Sequence, residues 1–445
     1  MKRIILMTLA LFTALTGISY AQSRGSYFFE NSLLRSKLNP AFAPKTSYAT
    51  MPAIGSFSTD IASNVGLSTF VYPEGDKSYL FLNDRVPSDT FLSKLPSRAD
   101  PYLQERLESD LFGAGMRIGQ DGFATVGISL VESGGVTLSG DMLRFAKTGS
   151  SGNGLDITGA GDVQMAGYAA LSLGYSHDLH TIVEGLRAGI RLKLLVGLAA
   201  ARFTLDRMGL QYGETNVSAR THGNGALAGI GYNSDGGFSL SGIGLGNMGA
   251  AADLGVSYRF PLTGWVEGIE LSASVCDLGT IRFGRSVTAL SLDRSFSFSG
   301  IHDFGGDIKA EFEQVIGEAR QLFSFETREG EPFSFGLSPS IHAGASAFFL
   351  QGKGHAGLLY YHTVGRSNLM AACGYTPFPW LNLGINWTFI GPANRFGFYS
   401  EVIPRKYLGL FFGMESASWQ WNSSHIPIRN FTETFTFGLN VLFGD

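Results

Sequence analysis

The stretch FTETFTFGLNVLF, residues 431–443, decides the fold. Phe431, Phe435, Phe437, Leu439, Val441 and Phe443 share one face, interrupted only by Glu433. Thr432, Thr434, Thr436, Gly438 and Asn440 share the other. A period of two belongs to a strand, because successive side chains leave opposite sides of the pleat. Outward from this stretch the pattern recurs. In 381–390, Leu381, Leu383, Ile385, Trp387 and Phe389 oppose Asn382, Gly384, Asn386 and Thr388. In 186–198, Leu186, Ala188, Ile190, Leu192, Leu194, Val196 and Leu198 alternate with Arg187, Gly189, Arg191 and Lys193. Segments 253–260 and 269–276 repeat it. A soluble β-sandwich with one wet face gives the same alternation. Strand length and the continuity of the apolar face favour a membrane barrel, where a lipid-facing charge costs roughly 2–4 kcal/mol at the bilayer middle. Charges in these strands mostly avoid the apolar face.

The 445 residues are 44% hydrophobic, 13% aromatic and 16% charged, with 59 glycines and two cysteines. That is too apolar for a disordered chain, and two cysteines make neither a disulfide framework nor a four-thiolate zinc site. Lys2 and Arg3, the apolar run Ile4 to Ile18, and Ser19-Tyr20-Ala21 read as a secretory signal peptide over 1–21, with Gln22 as the mature start. An uncleaved anchor helix is the competing reading. The rest of the chain has no apolar run long enough for a spanning helix, although its mean hydropathy is slightly positive. Export, an apolar average and no spanning helix point to the outer membrane and a transmembrane β-barrel. Nothing is basic enough for a nucleic-acid partner.

The organisation follows from where alternation fails. Residues 22–105 hold nearly half of the 15 prolines and alternate poorly, which predicts an N-terminal plug or arm. One strand near 48–60 and helix-like pieces near 88–95 and 100–110 interrupt it. The barrel then occupies 106–445, with a short amphipathic stretch at Asp141 to Lys147. A helical insertion is expected at 303–330, where Ile308, Phe312, Val315 and Phe323 recur at helical spacing and would face a partner. What remains accommodates about 14 antiparallel strands, within a range of roughly 12–16.

The segments Ser26-Tyr27-Phe28-Phe29-Glu30-Asn31-Ser32 and Leu38-Asn39-Pro40-Ala41-Phe42-Ala43-Pro44 resemble the start of a Bacteroidota outer-membrane family, domain of unknown function 5723. Met51-Pro52, Asn64-Val65-Gly66-Leu67 and Asp277-Leu278-Gly279 are similar to the same family. The triplet Asn39-Pro40-Ala41 is also similar to FadL-type hydrocarbon transporters and to the PorV shuttle protein of type IX secretion. The resemblance implies a FadL-like plugged barrel and assigns no substrate. The chemistry of the triplet suits a plug: Asn39 bonds local backbone, Pro40 fixes φ, and Ala41 allows close packing. An ordinary turn uses the same residues.

Candidate chemistry is sparse. Arg187, Arg191 and Lys193 point into the lumen if Leu192 points to lipid. They read either as a contact for an anion or fatty carboxylate, or as a charge ladder with Glu270, Asp253 or Glu401. His177 and His180 lack further ligands for a metal. His362, Ser367 and Asn368 superficially resemble an outer-membrane phospholipase set, but a turn at Gly365-Arg366 separates them. Cys276 and Cys373 are expected to stay unpaired. The five tryptophans, Trp265, Trp380, Trp387, Trp419 and Trp421, fit interfacial girdles. No catalytic set and no cofactor are expected. The expected partners are outer-membrane lipid, the barrel assembly machinery, and either a hydrophobic or amphipathic ligand or a cell-envelope protein. The first points to passive transport in the FadL manner, the second to a PorV-like assembly scaffold.

Overall fold

The computed structural model describes residues 24–443 apart from 31, 52–54, 75–76, 98, 150–153, 214–215, 233–237, 241–245, 299–321, 323, 364–365, 392–393, 404–406 and 417–431. The signal segment 1–21, the helix residues Ile308, Phe312, Val315 and Phe323, and Trp419 and Trp421 lie outside the described residues.

Among the described residues the chain closes into an antiparallel barrel of 14 strands. We number only the wall strands. β1 is interrupted, Ser47–Thr50 and Phe57–Ser63. Then come β2 Tyr102–Ile118, β3 Gly122–Leu138, β4 Gly154–Asp178, β5 Leu186–Tyr212, β6 Met248–Pro261 and β7 Gly268–Phe283. β8 is Ser340–Phe349, β9 Gly354–Thr363, β10 Arg366–Phe378 and β11 Leu381–Ile390. β12 is Arg395–Val402, β13 Leu408–Ser416 and β14 Thr432–Phe443. Each strand pairs with the next. Closure comes from β1, whose two pieces both lie between β14 and β2: Ala49 faces Val441 and Ala114, and Asp60 faces Thr434 and Arg106.

The alternation read from sequence is the inside–outside alternation of the wall. Leu192, Leu194, Leu254, Leu271, Leu383, Ile385 and Trp387 all stand exposed on the outer surface. Their neighbours Arg191, Asp253, Glu270, Asn382 and Asn386 turn inward and are largely buried. An apolar face this continuous suits lipid, not water. Aromatics edge it: Trp265 stacks on Phe349 at 5.4 Å and Phe378 on Trp380 at 5.2 Å near the short turns. Trp387 stacks on Phe396 at 5.8 Å near the opposite end.

Short turns join strands at one end, and long connections cluster at the other. At that loop end β4 and β5 run on past the wall, and Val217–Ala228 and Val287–Phe298 extend the sheet from β5. The hairpin Val71–Glu74 with Lys77–Leu80, the helix Ser88–Leu92 and the helix Gly140–Thr148 lie there too. Phe81, Phe91, Leu95 and Leu143 bury a small core between them. Ser139 caps the longer helix, its Oγ accepting from Asp141 N at 3.2 Å.

The stretch 22–105 therefore divides differently from its sequence reading. Residues 24–44 enter the lumen as a 3₁₀ turn, Arg24–Phe28, and a helical turn, Arg35–Leu38. The wall begins at Ser47, not at 106, and 64–101 crosses the loop end. The helix-like piece at 100–110 is the start of β2. Its charges mimic a helix face, but Arg106, Glu108 and Asp110 recur at period two and line the lumen.

Candidate functional site

The lumen is filled from below by the plug, residues 24–44. Aromatic residues seat its first half. Tyr27 meets Phe28 and Phe42 edge-on at 5.6 and 5.1 Å and lies over His342 at 6.2 Å. Phe29 stands edge-on to His355 at 4.4 Å. Tyr27, Phe28 and Phe42 bury fully against Leu359, Tyr361 and Met370 of the inner wall, and Phe29 buries against Tyr399 and Phe411. The second half is seated by hydrogen bonds to strand backbone. Asn39 Nδ2 donates to Val256 O at 3.2 Å and to Ala273 O at 3.3 Å, while its Oδ1 accepts from Ala41 N at 2.9 Å. Ser274 Oγ donates to Leu38 O at 2.6 Å. Asn39 and Ala41 are completely buried. The wall makes room with glycine: a Cβ on Gly189 would lie 2.5 Å from Ala41 N, and one on Gly255 2.8 Å from Pro40 Cδ.

Charge joins plug to wall at two places. On the side of β2 and β5–β7, four cations meet four anions. Lys37 Nζ of the plug reaches Asp110 at 2.7 Å and Glu108 at 3.0 Å. Arg106 reaches Asp277 at 3.0 Å and Glu108 at 3.3 Å. Lys193 reaches Asp277 at 2.7 Å and Asp253 at 2.9 Å. Arg191 pairs with Asp253 at 3.1 Å and donates to Ser36 O of the plug at 2.7 Å. Burial pulls the Lys37 amine down, but Asp110 and Glu108 more than offset it, so the amine stays charged. A further buried pair, Arg35 with Glu270, sits nearby.

On the opposite side, Arg24 Nη2 donates to Asp60 at 2.6 Å, and Arg24 N to Glu415 Oε1 at 3.0 Å. The guanidinium lies 4.4 Å over the Tyr361 ring. Arg395 donates to Tyr361 OH and, at 3.0 Å, to Asn368 Oδ1. Arg366 faces the same space and makes no ion pair among the described residues.

Between plug and wall lies a cavity of about 160 Å³. Arg24, Asp60, Lys37, Glu108 and Arg366 supply polar lining, and Leu33, Leu34, Leu38, Val131 and Tyr168 supply apolar lining. The cavity reaches the wall where β1 is interrupted and β2 carries a bulge between Asp110 and Phe112. Phe112 and Ile128 belong to its lining there, and both stand exposed on the outer face.

The sequence-named residues distribute as follows. Arg191 and Lys193 face inward, and both pair with Asp253. Arg187 sits nearer the turn end, 3.4 Å from Asp178. Glu270 pairs with the plug, and Glu401 accepts from Asn382 at 3.1 Å. His362 Nδ1 and Ser367 Oγ lie 3.0 Å apart on the outer face, but Asn368 turns into the lumen toward Arg395 and cannot orient the imidazole. His180 stands near Asp121 and Asp178, and among the described residues no cluster of three metal-type ligands occurs. Cys276 is buried under the plug, its Sγ 3.4 Å from Leu38 O, and Cys373 is exposed outside; both are free. Arg24, Arg366 and Arg395 escape the sequence reading. Their only sequence signal is inward parity at the first residue of β10 and of β12.

No curated protein matches the chain in sequence. Among solved structures it is similar to the Ralstonia pickettii toluene transporter TbuX, at 9% identity over 97% of both chains with a TM-score of 0.44. A Pseudomonas aeruginosa FadL homologue matches at 10% identity over 96% of this chain and 98% of that one, TM-score 0.42. The P. putida toluene transporter TodX matches at 9% over 96% and 99%, TM-score 0.42. The superpositions are loose, and the likeness carries nothing about cargo. A family model, by contrast, spans residues 40–410, most of the plugged barrel just described, and so the chain belongs to the family of unknown function DUF5723.

Proposed function

We propose that this protein is an outer-membrane barrel that binds and passively passes an amphipathic small molecule through the space beside its plug. The observation that carries the reading is the cavity. Its lining combines charged groups with leucines of the plug and continues to Phe112 and Ile128 on the lipid face. A purely apolar cargo would leave the donors of Arg24 and Arg366 that lack acceptors among the described residues uncompensated. A purely polar one would leave the Leu33, Leu34 and Leu38 surface unused. A molecule with a polar head and an apolar tail matches both. The outward apolar belt and its aromatic edges support a bilayer setting, and the signal-like start of the chain supports export to the outer membrane.

The experiment is uptake into vesicles of a fluorescent alkyl sulfonate, whose permanent charge keeps it from crossing lipid unaided. Vesicles holding the barrel should take it up at least about tenfold faster than bare vesicles, with saturation as the lumen fills. Equal rates would contradict the proposal.

A further inference from the structure

The two charged sides of the lumen are not alike. Lys37, Arg106, Arg191 and Lys193 are matched by Glu108, Asp110, Asp253 and Asp277, so that side is neutral and each cation has a partner. On the other side, among the described residues, Arg24, Arg366 and Arg395 share one electrostatic neighbourhood with two carboxylates, Asp60 and Glu415. One positive charge is left over. Arg24 and Arg395 are 6% and 3% exposed, so water screens them little. Among the described residues, three guanidinium nitrogens of this group have no acceptor: Nε and Nη1 of Arg24, and Nε of Arg366. Arg24 and Arg366 both line the cavity.

Buried donors without acceptors, in a cluster carrying unbalanced charge, are costly unless a ligand completes them. A planar guanidinium matches a carboxylate in both shape and charge. We propose that Arg24, Arg366 and Arg395 form an anion site that holds the carboxylate head of the amphipathic cargo. The apolar tail then lies along Leu33 and Leu34, which border the same cavity. Among the described residues Asp60 Oδ1 and Glu415 Oε2 also lack donors. The inference rests on the amphipathic reading and adds the charge of the head group. It also gives the plug a second role. Arg24 comes from the plug and the other two from the wall, so the site exists only when the plug is seated.

Arg366 is the residue to change, because it makes no ion pair among the described residues whose loss would unseat the plug. Calorimetric titration of the full barrel in amphipol, with decanoate, decanol and acetate as probes, tests the site. Decanoate should bind more tightly than decanol. Arg366→Gln should weaken decanoate about tenfold and leave decanol unchanged, and Arg366→Lys should restore part of the loss. Labelling of Cys276 checks that the plug stays seated in both variants. Equal binding of decanoate and decanol, both indifferent to Arg366→Gln, would overturn the anion site and leave the amphipathic reading standing. Binding of neither would overturn both. Acetate binding as tightly as decanoate, and weakened by Arg366→Gln, would support the anion site and overturn the amphipathic cargo.

Discussion

Gly189→Ala should unseat the plug without touching the rest of the wall. The added Cβ would stand 2.5 Å from Ala41 N, about 1 Å inside ordinary contact. The obstacle is backbone on both sides, so no side chain can swing away. The plug must retreat, and Asn39 then loses its bonds to Val256 O and Ala273 O, 3.2 and 3.3 Å long. Overpacking costs about 1–3 kcal/mol and each hydrogen bond about 1 kcal/mol. Together they shift the seated–displaced equilibrium by about 3–5 kcal/mol, a hundredfold or more. Cys276 supplies the readout, since it is 4% exposed and covered by the carbonyl of Leu38. In a Cys373→Ser background, the rate of labelling by a water-soluble maleimide follows the displaced fraction when closing is fast. It should rise at least about a hundredfold in Gly189→Ala. Gly167→Ala, whose Cβ would meet nothing within 4 Å, should leave it unchanged. A barrel that stays heat-modifiable on gels and labels at the wild-type rate in Gly189→Ala would refute this account of the plug.

Other perturbations have separate expectations. Arg35→Met leaves the Glu270 carboxylate buried without its partner and should destabilise the plug by about 3–5 kcal/mol, with Glu270→Leu in the same chain recovering most of it in thermal melts. Leu192→Arg places a charge on the lipid face, where Leu192 is 57% exposed, and should cost roughly 2–4 kcal/mol in urea titrations of folding into vesicles. The Lys37 amine is raised above its ordinary 10.5, so its ion pairs stabilise the plug fully below that pH, and the contribution is lost progressively from there up to the still higher folded value. Proteolysis of residues 24–44 should therefore rise only in alkali above about pH 10.5, whereas Lys37→Met, which takes the cation from Asp110 and Glu108, should give faster cleavage already at neutral pH with no alkaline step.

How much was legible can be traced to particular residues. Leu383, Ile385 and Trp387 against Asn382, Asn386 and Thr388 gave both faces of β11, because lipid on one side and a filled lumen on the other enforce period two. Of the three carboxylates the sequence offered the basic run, Glu270, Asp253 and Glu401, it is Asp253 that pairs with Arg191, because their strands face each other in register. The strand expected near 48–60 is β1, but its place in the wall was hidden because it is short, interrupted and flanked by prolines. The charges of β2 look helical only until their period is counted. The Arg24 cluster could not be read at all. Arg24 and Arg395 are brought together by closure of the barrel and insertion of the plug, and no local pattern encodes either event. Arg187, Arg191 and Lys193 drew notice as a run, yet a run of lumen charge invites carboxylates on the adjacent strands. The excess charge sits where the cations are scattered.

The most direct test of the central claim is gentle purification of the barrel from its own outer membrane, followed by mass spectrometry of everything bound to it. The expected result is a lone barrel carrying a stoichiometric amphipathic small molecule with one anionic group, lost in Arg366→Gln. A stoichiometric protein partner with no small molecule bound would contradict it and favour an assembly scaffold.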